Sequence, residues 1–328
     1  MFGVGLLALG LLAQLGATDP TAVEWTDNAA CEGCHPVVAA QWAGSQHRTA
    51  FTDASFQTAL AIEPNGFCRG CHAPEQPAAI TEATAAAKLG VACVTCHLEA
   101  GSVLATTAAS SEAPHPVTRR PSFSTASACA GCHAFPFPDS GLRDAPEMMQ
   151  STLQEHAASP FADRSCASCH MPELGGVRSH AFGASRNPAM LREAVRVEAV
   201  RTAEGVELVL RAGEVGHAVP TGDLLRRLEV GAEVDGAPPR RRFLARHFGP
   251  RTQAHGLVVW GELRDDRVPA DGTPRRVRLT LPDAPGQEIR WWVKYQRVAH
   301  QRSVRESDAL LDAEVLLAHG ALPSEESP

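Results

Sequence analysis

The sequence predicts an α+β chain in two parts, short helices and loops first and a β-sandwich second. Three observations carry that expectation. All ten cysteines fall in the first part, as five copies of Cys-x-x-Cys-His. The stretches between them are rich in Pro, Ala and Ser, with helical spacing only in short runs such as Ala83 to Leu89 and Glu147 to His156. After Asn187, apolar and polar residues alternate with the period of two that marks half-buried strands.

The five motifs run from Cys31 and Cys34 to His35, from Cys68 and Cys71 to His72, from Cys93 and Cys96 to His97, from Cys129 and Cys132 to His133, and from Cys166 and Cys169 to His170. Paired thiols followed directly by histidine are the attachment signature of haem c: the thiols form thioethers with the porphyrin vinyl groups, and the histidine becomes the proximal iron ligand. Zinc fits less well, because a structural zinc site draws four ligands from two such pairs and five pairs leave one over. Disulfides within each pair are disfavoured too, since Cys-x-x-Cys is a reactive redox geometry that closes no long loop. Five covalently attached haems are therefore expected, with the macrocycles stacked to form the core of this region.

Residues 1–17 read as a secretory signal, with an apolar core from Val4 to Leu15 and small residues before Thr18. No Lys or Arg precedes the apolar core, and that core is short of the roughly 20 residues a membrane span needs. Haem attachment outside the cytoplasm agrees with export, so a periplasmic or extracellular location is expected. The 328 residues leave room for two domains, read as a pentahaem cytochrome domain over 18–188 and a β-sandwich over 189–328. The formal charge of −7 offers nothing to nucleic acid. Lys88 and Lys294 are the only lysines, so arginine supplies the basic groups suited to pairing with propionates.

The second part is legible strand by strand. Val195 to Glu198 alternates, Val206 to Leu210 follows a Glu204-Gly205 turn, and Leu228 to Val234 ends at Asp235-Gly236. Val277 to Leu281 and Ile289 to Val293 alternate as well, with turns at Asp271-Gly272 and Pro285-Gly286. Such short strands punctuated by turns suggest a sandwich. Leu310 to His319 fits either a last strand or a helix.

Nine histidines remain after the five proximal ones. Pro36 follows His35 where a helix can begin, since its missing donor is harmless in the first turn, and Val38, Gln41 and Trp42 then share helical spacing. Were that helix to continue, His47 would lie about 18 Å from His35 at about 1.5 Å per residue. His47 is thus suited to a neighbouring haem.

The run Cys31 to Ala50, CEGCHPVVAAQWAGSQHRTA, resembles the leading motif of the multihaem cytochrome c-552/4 family. The run Cys166 to Ala194 resembles the closing haem segment of related multihaem cytochromes, and that resemblance implies that His180 is a distal ligand. The segment from Gly216 through His217 to Pro220-Thr221-Gly222 is similar to one in the β-rich domain that follows the haems in such proteins.

Local chemistry adds to this. His217 sits between glycine and a Pro-Thr-Gly turn, where a loop tip can project an imidazole from a rigid sandwich. His115 lies between Pro114 and Pro116, a stiff extended mount. Gln154 to Ser159 echoes Ala40 to Ser45, an eroded internal repeat in which His156 stands where the first copy has Trp42. A packing role and an iron-ligand role both remain open for His156. His247, His255, His300 and His319 have no motif around them.

Five haems and a supply of distal histidines point to electron transfer through mostly bis-histidine irons, with redox partner proteins as donor and acceptor and a membrane-associated redox complex as one setting. A rival is an oxidoreductase acting on a small nitrogen or sulfur compound at one open haem. Lysine ligation of such a haem finds only Lys88 in the haem region, and Tyr295, the sole tyrosine, lies in the sandwich segment. A structural rival is a subunit of a cytochrome filament or an outer-membrane conduit. The intact mass of the mature protein is expected to include five haems that survive acid extraction, and replacing Cys68 and Cys71 by Ala should remove one of them; fewer than four would contradict the reading.

Overall fold

A computed structural model describes residues 28–76, 82–106, 114–138, 140–282, 284, 286–300 and 306–324. The proposed signal over 1–17 lies outside the described residues. Among the described residues no helix is long and apolar enough to cross a membrane. The architecture is α+β, with short helices up to residue 193 and, among the described residues, nine longer strands after it.

Four of the five motifs close short helical elements, over Arg69–His72, Cys93–His97, Ala130–His133 and Cys166–His170. The first lies in Asn28–Cys34, with His35 at the junction to the helix Pro36–Ala43. Helical geometry suits the spacing: residues three and four apart share a face, so one turn turns both sulfurs and the imidazole to the same side. Side chains supply several helix starts. Asp53 Oδ1 accepts from the Ser55 and Phe56 amides at 3.1 and 3.2 Å, and Asn187 Oδ1 accepts from Ala189 and Met190 ahead of Pro188–Glu193.

Two helical expectations need correction. Ala83 to Leu89 forms only a 3-10 turn over Ala87–Leu89. Thr84 is tied back to Gln76 Oε1 through its amide at 3.2 Å, which bends the segment at its start. Gly90 then ends it at φ +65°, where a Cβ would lie 2.3 Å from the His47 carbonyl oxygen. Glu147 to His156 divides into a strand over Met148–Ser151 and a helix over Thr152–Ala157. The strand pairs with Ala134–Pro136, and Arg246 donates to the Met148 and Met149 carbonyls at 2.7 and 2.8 Å, holding this stretch extended.

The strands of the second part are β1 (Val195–Thr202), β2 (Gly205–Ala212), β3 (Arg226–Glu233), β4 (Arg240–Leu244), β5 (Arg246–Thr252), β6 (Val258–Asp265), β7 (Arg275–Thr280), β8 (Ile289–His300) and β9 (Leu310–Leu322). They form a four-stranded sheet in the order β4-β3-β8-β9, a three-stranded sheet β7-β2-β1 and a ribbon β5-β6. Leu310 to His319 is thus a strand: β9 pairs antiparallel along β8, with Trp292 opposite His319. Leu208 and Leu210 from one sheet meet Leu228, Val230, Ile289 and Val293 from the other in one buried cluster.

This sandwich is fastened to the haem region along residues 143–155. Arg143 donates to the Trp260 carbonyl at 2.9 Å, the Asp144 amide to Gln253 Oε1 at 2.8 Å, and Arg267 pairs with Glu155 at 2.9 Å. Within the sandwich, His247 lies between Asp266 at 2.8 Å and Glu306 at 3.0 Å. Burial pulls its pKa down, but the two carboxylates outweigh this and raise it to about 9. Because the folded value exceeds the ordinary 6.5, this stabilisation is complete below pH 6.5 and is lost as pH rises through about 9. Unfolding of wild type and His247→Asn, measured from pH 6 to 10, should differ by about 1–3 kcal/mol at the acid end and converge at the alkaline end. A constant difference would contradict the assignment.

Candidate haem-binding site

The ten thiols are free of disulfides. They also lie close to one another between motifs: Cys71 lies beside Cys132 and Cys129 beside Cys166. Cys31 neighbours Cys93, and Cys96 neighbours Cys132. The fourth motif therefore adjoins the second, the third and the fifth. Among the described residues, little apolar core exists here besides two small clusters, one around Trp42, Ala92 and Val94 and one around Phe51, Ala73 and Ala87.

Each of four proximal histidines faces a second imidazole. His35 and His115 have ring centroids 6.5 Å apart, His47 and His133 6.4 Å, His97 and His180 6.1 Å, and His170 and His217 6.2 Å. Two imidazoles on one metal, each with a metal–nitrogen bond of about 2 Å and a ring radius of about 1.1 Å, have centroids about 6.2 Å apart. The observed spacings match that distance. The donor set fits haem c on this geometry as well as on the thiol pairs.

Tautomers are set by the backbone. Nδ1 of His97 lies 2.7 Å from the Leu104 carbonyl oxygen, that of His170 2.7 Å from Gly183, that of His180 2.9 Å from Arg178 and that of His217 3.0 Å from Ala218. Donation from Nδ1 leaves Nε2 with the lone pair a metal requires. Burial and then the imidazoles of His133, His170 and His180 lower His47 to about 4. Burial likewise lowers His72, His133, His180 and His217, so these rings stay neutral.

His72 differs. Its Nδ1 lies 2.8 Å from the Ala50 carbonyl oxygen, as for a proximal ligand, but its ring stacks on Phe56 at 3.8 Å and 8°. A parallel ring at that distance lies beside the imidazole, not across an iron from it. Among the described residues no second imidazole faces His72.

The other histidines lie outside these four pairs. His156 is buried, and a Cβ at Gly216 would lie 2.9 Å from its ring. It packs under the backbone just before His217, much as Trp42 packs in the first copy of the repeat, where its Nε1 donates to the Val91 carbonyl at 2.8 Å. His255 faces Asp144 at 3.5 Å, while His300 and His319 lie in β8 and β9. Sequence reading missed the aromatic rings packed on the imidazoles: Phe56 on His72, Phe123 5.3 Å from His97, and Phe182 4.2 Å from His47. No spacing rule links these residues.

Residues 30–98 match the family model described as cytochrome c554 and c-prime. No curated protein matches the chain. Among solved structures, a penta-heme cytochrome c552 from Thermochromatium tepidum is similar, with a TM-score of 0.69 and 21% identity over 92% of this chain and 99% of that one. The chain thus carries the thiol and histidine pattern of haem c attachment in its first part, is similar to that cytochrome family over residues 30–98, and shares the fold of a multihaem cytochrome along most of its length.

Proposed function

We propose that this protein is an exported pentahaem electron carrier in which four irons are each capped by two histidines: His35 with His115, His47 with His133, His97 with His180, and His170 with His217. The four imidazole pairs at 6.1–6.5 Å are the observation that carries this reading. Haem c supplies reversible one-electron chemistry when bound. The chain's own contribution is to fix both axial ligands, so that little rearrangement accompanies a change of charge. It also sets the attachment motifs side by side, which favours close packing of the cofactors they hold. Redox partner proteins would act as donor and acceptor in the periplasm or beyond it.

A second reading is supported by one residue. His72, backed by Phe56 and lacking a facing imidazole among the described residues, would hold a fifth iron with an exchangeable distal side. A small nitrogen or sulfur compound could then bind there, as the enzyme hypothesis requires.

Two tests separate these claims. His217→Ala should leave the haem count unchanged and convert one iron from low to high spin, whereas His156→Leu should convert none; a high-spin change in the His156 variant would make that residue a ligand. Rapid mixing of the reduced protein with carbon monoxide should give a fast phase equivalent to one haem, which disappears when Cys68 and Cys71 are replaced by Ala. No fast phase would remove the second reading, and a phase of two or more haems would overturn the pairing.

A further inference from the structure

The internal repeat carries a function that its sequence alone hides. In the first copy, Gln41 Oε1 accepts from the backbone amide of His180 at 2.9 Å. In the second copy the aligned residue is Glu155, and its Oε2 accepts from the amide of Ala218, next to His217, at 3.2 Å and from the Thr221 hydroxyl at 2.6 Å. Each residue sits one position before the buried packing residue of its copy, Trp42 or His156. Each reaches across the sequence, over 139 and 63 residues, to the backbone at or beside the histidine that faces a different motif's histidine.

We propose that Gln41 and Glu155 are repeat-related positioning residues, each using one side-chain oxygen to anchor the backbone that presents a distal histidine, His180 or His217. This rests on the proposed pairing of His97 with His180 and of His170 with His217. The surroundings of Glu155 support it. Oε1 accepts from Ser151 Oγ at 2.8 Å and from Arg267 at 2.9 Å, so both carboxylate oxygens are occupied. Arg267 is itself buried, chelated by Asp265 at 2.7 and 2.9 Å, and donates to the Pro220 carbonyl at 3.0 Å. Carboxylate and guanidinium together therefore clamp 218–221 from both sides, and Thr152 Oγ1 adds a contact to Thr221 at 2.9 Å.

The two copies also differ in a useful way. Gln41 anchors without charge, whereas Glu155 places a carboxylate beside one iron site only, where net charge is one of the levers on potential. The natural pair shows that an amide oxygen suffices for the anchoring step.

The test uses the holoprotein and the EPR signal of the His170 and His217 site, whose ring planes lie only 11° apart, against 38° to 63° for the other three pairs. Near-parallel imidazoles give a rhombic low-spin signal distinct from that of steeply crossed ones. Glu155→Ala should keep all haems attached but lose much of that signal and speed cyanide binding at that iron by about tenfold, as expected for release of hydrogen-bonded anchors. Glu155→Gln should restore the signal and raise the potential of that haem alone, because one negative charge is gone. Gln41→Ala should affect the His97 and His180 site instead. The proposal is overturned if Glu155→Ala leaves signal and cyanide rate unchanged while His217→Ala abolishes the signal, or if Glu155→Gln loses it as fully as Glu155→Ala. Should His217→Ala itself leave the iron low-spin, the ligand pairing fails and this proposal falls with it.

Discussion

The facing of imidazoles in pairs, each pair proposed to hold one iron, is the constraint on which the first part of the chain would depend. Each pair joins a histidine inside an attachment motif to one far away in the sequence, so an iron held between them would close a long loop as well as complete a redox centre. Loop closure costs grow only slowly with length, which makes a metal clip an efficient way to order a segment poor in apolar residues. The small clusters around Trp42 and Phe51 are correspondingly slight beside the sandwich core built on Leu208, Leu228 and Ile289. Metal and macrocycle would do for the first part what strands and branched side chains do for the second.

The sandwich is more than an appendage in this arrangement. Its loop at 217–221 supplies the imidazole facing His170, and the buried Arg267 ties that loop to the Glu155 helix. A buried ion pair of this kind contributes little net stability, because desolvation offsets the attraction. Its value is geometric: every polar atom of the clamp has a partner, so the loop has one place to sit. Gly216 and Gly90 serve the same end by leaving room where the backbone must pass His156 and the His47 carbonyl at close range.

Much of this was legible in the sequence, for identifiable reasons. Cys-x-x-Cys-His is a local pattern whose chemistry needs no tertiary partner, and Pro36 marks a helix start through its own ring. Strand alternation in Val277 to Leu281 or Ile289 to Val293 follows from one buried face. Pro114 and Pro116 flagged His115 as a rigid mount, and the turn at Pro220 to Gly222 flagged His217. What stayed hidden depends on distant contacts. Met148 to Ser151 has the composition of a helix but is held extended by Arg246 and by its pairing with Ala134–Pro136. The partner of each histidine, the Phe56 ring on His72 and the matching roles of Gln41 and Glu155 likewise arise only when separate segments meet.

Taken together, the two proposed readings place two histidines on each of four irons and His72 alone on the fifth. Mössbauer spectroscopy of the oxidised, iron-enriched holoprotein counts spin states directly. The account predicts low-spin and high-spin ferric areas in a ratio of about four to one. Five low-spin irons, or two or more high-spin ones, would contradict it.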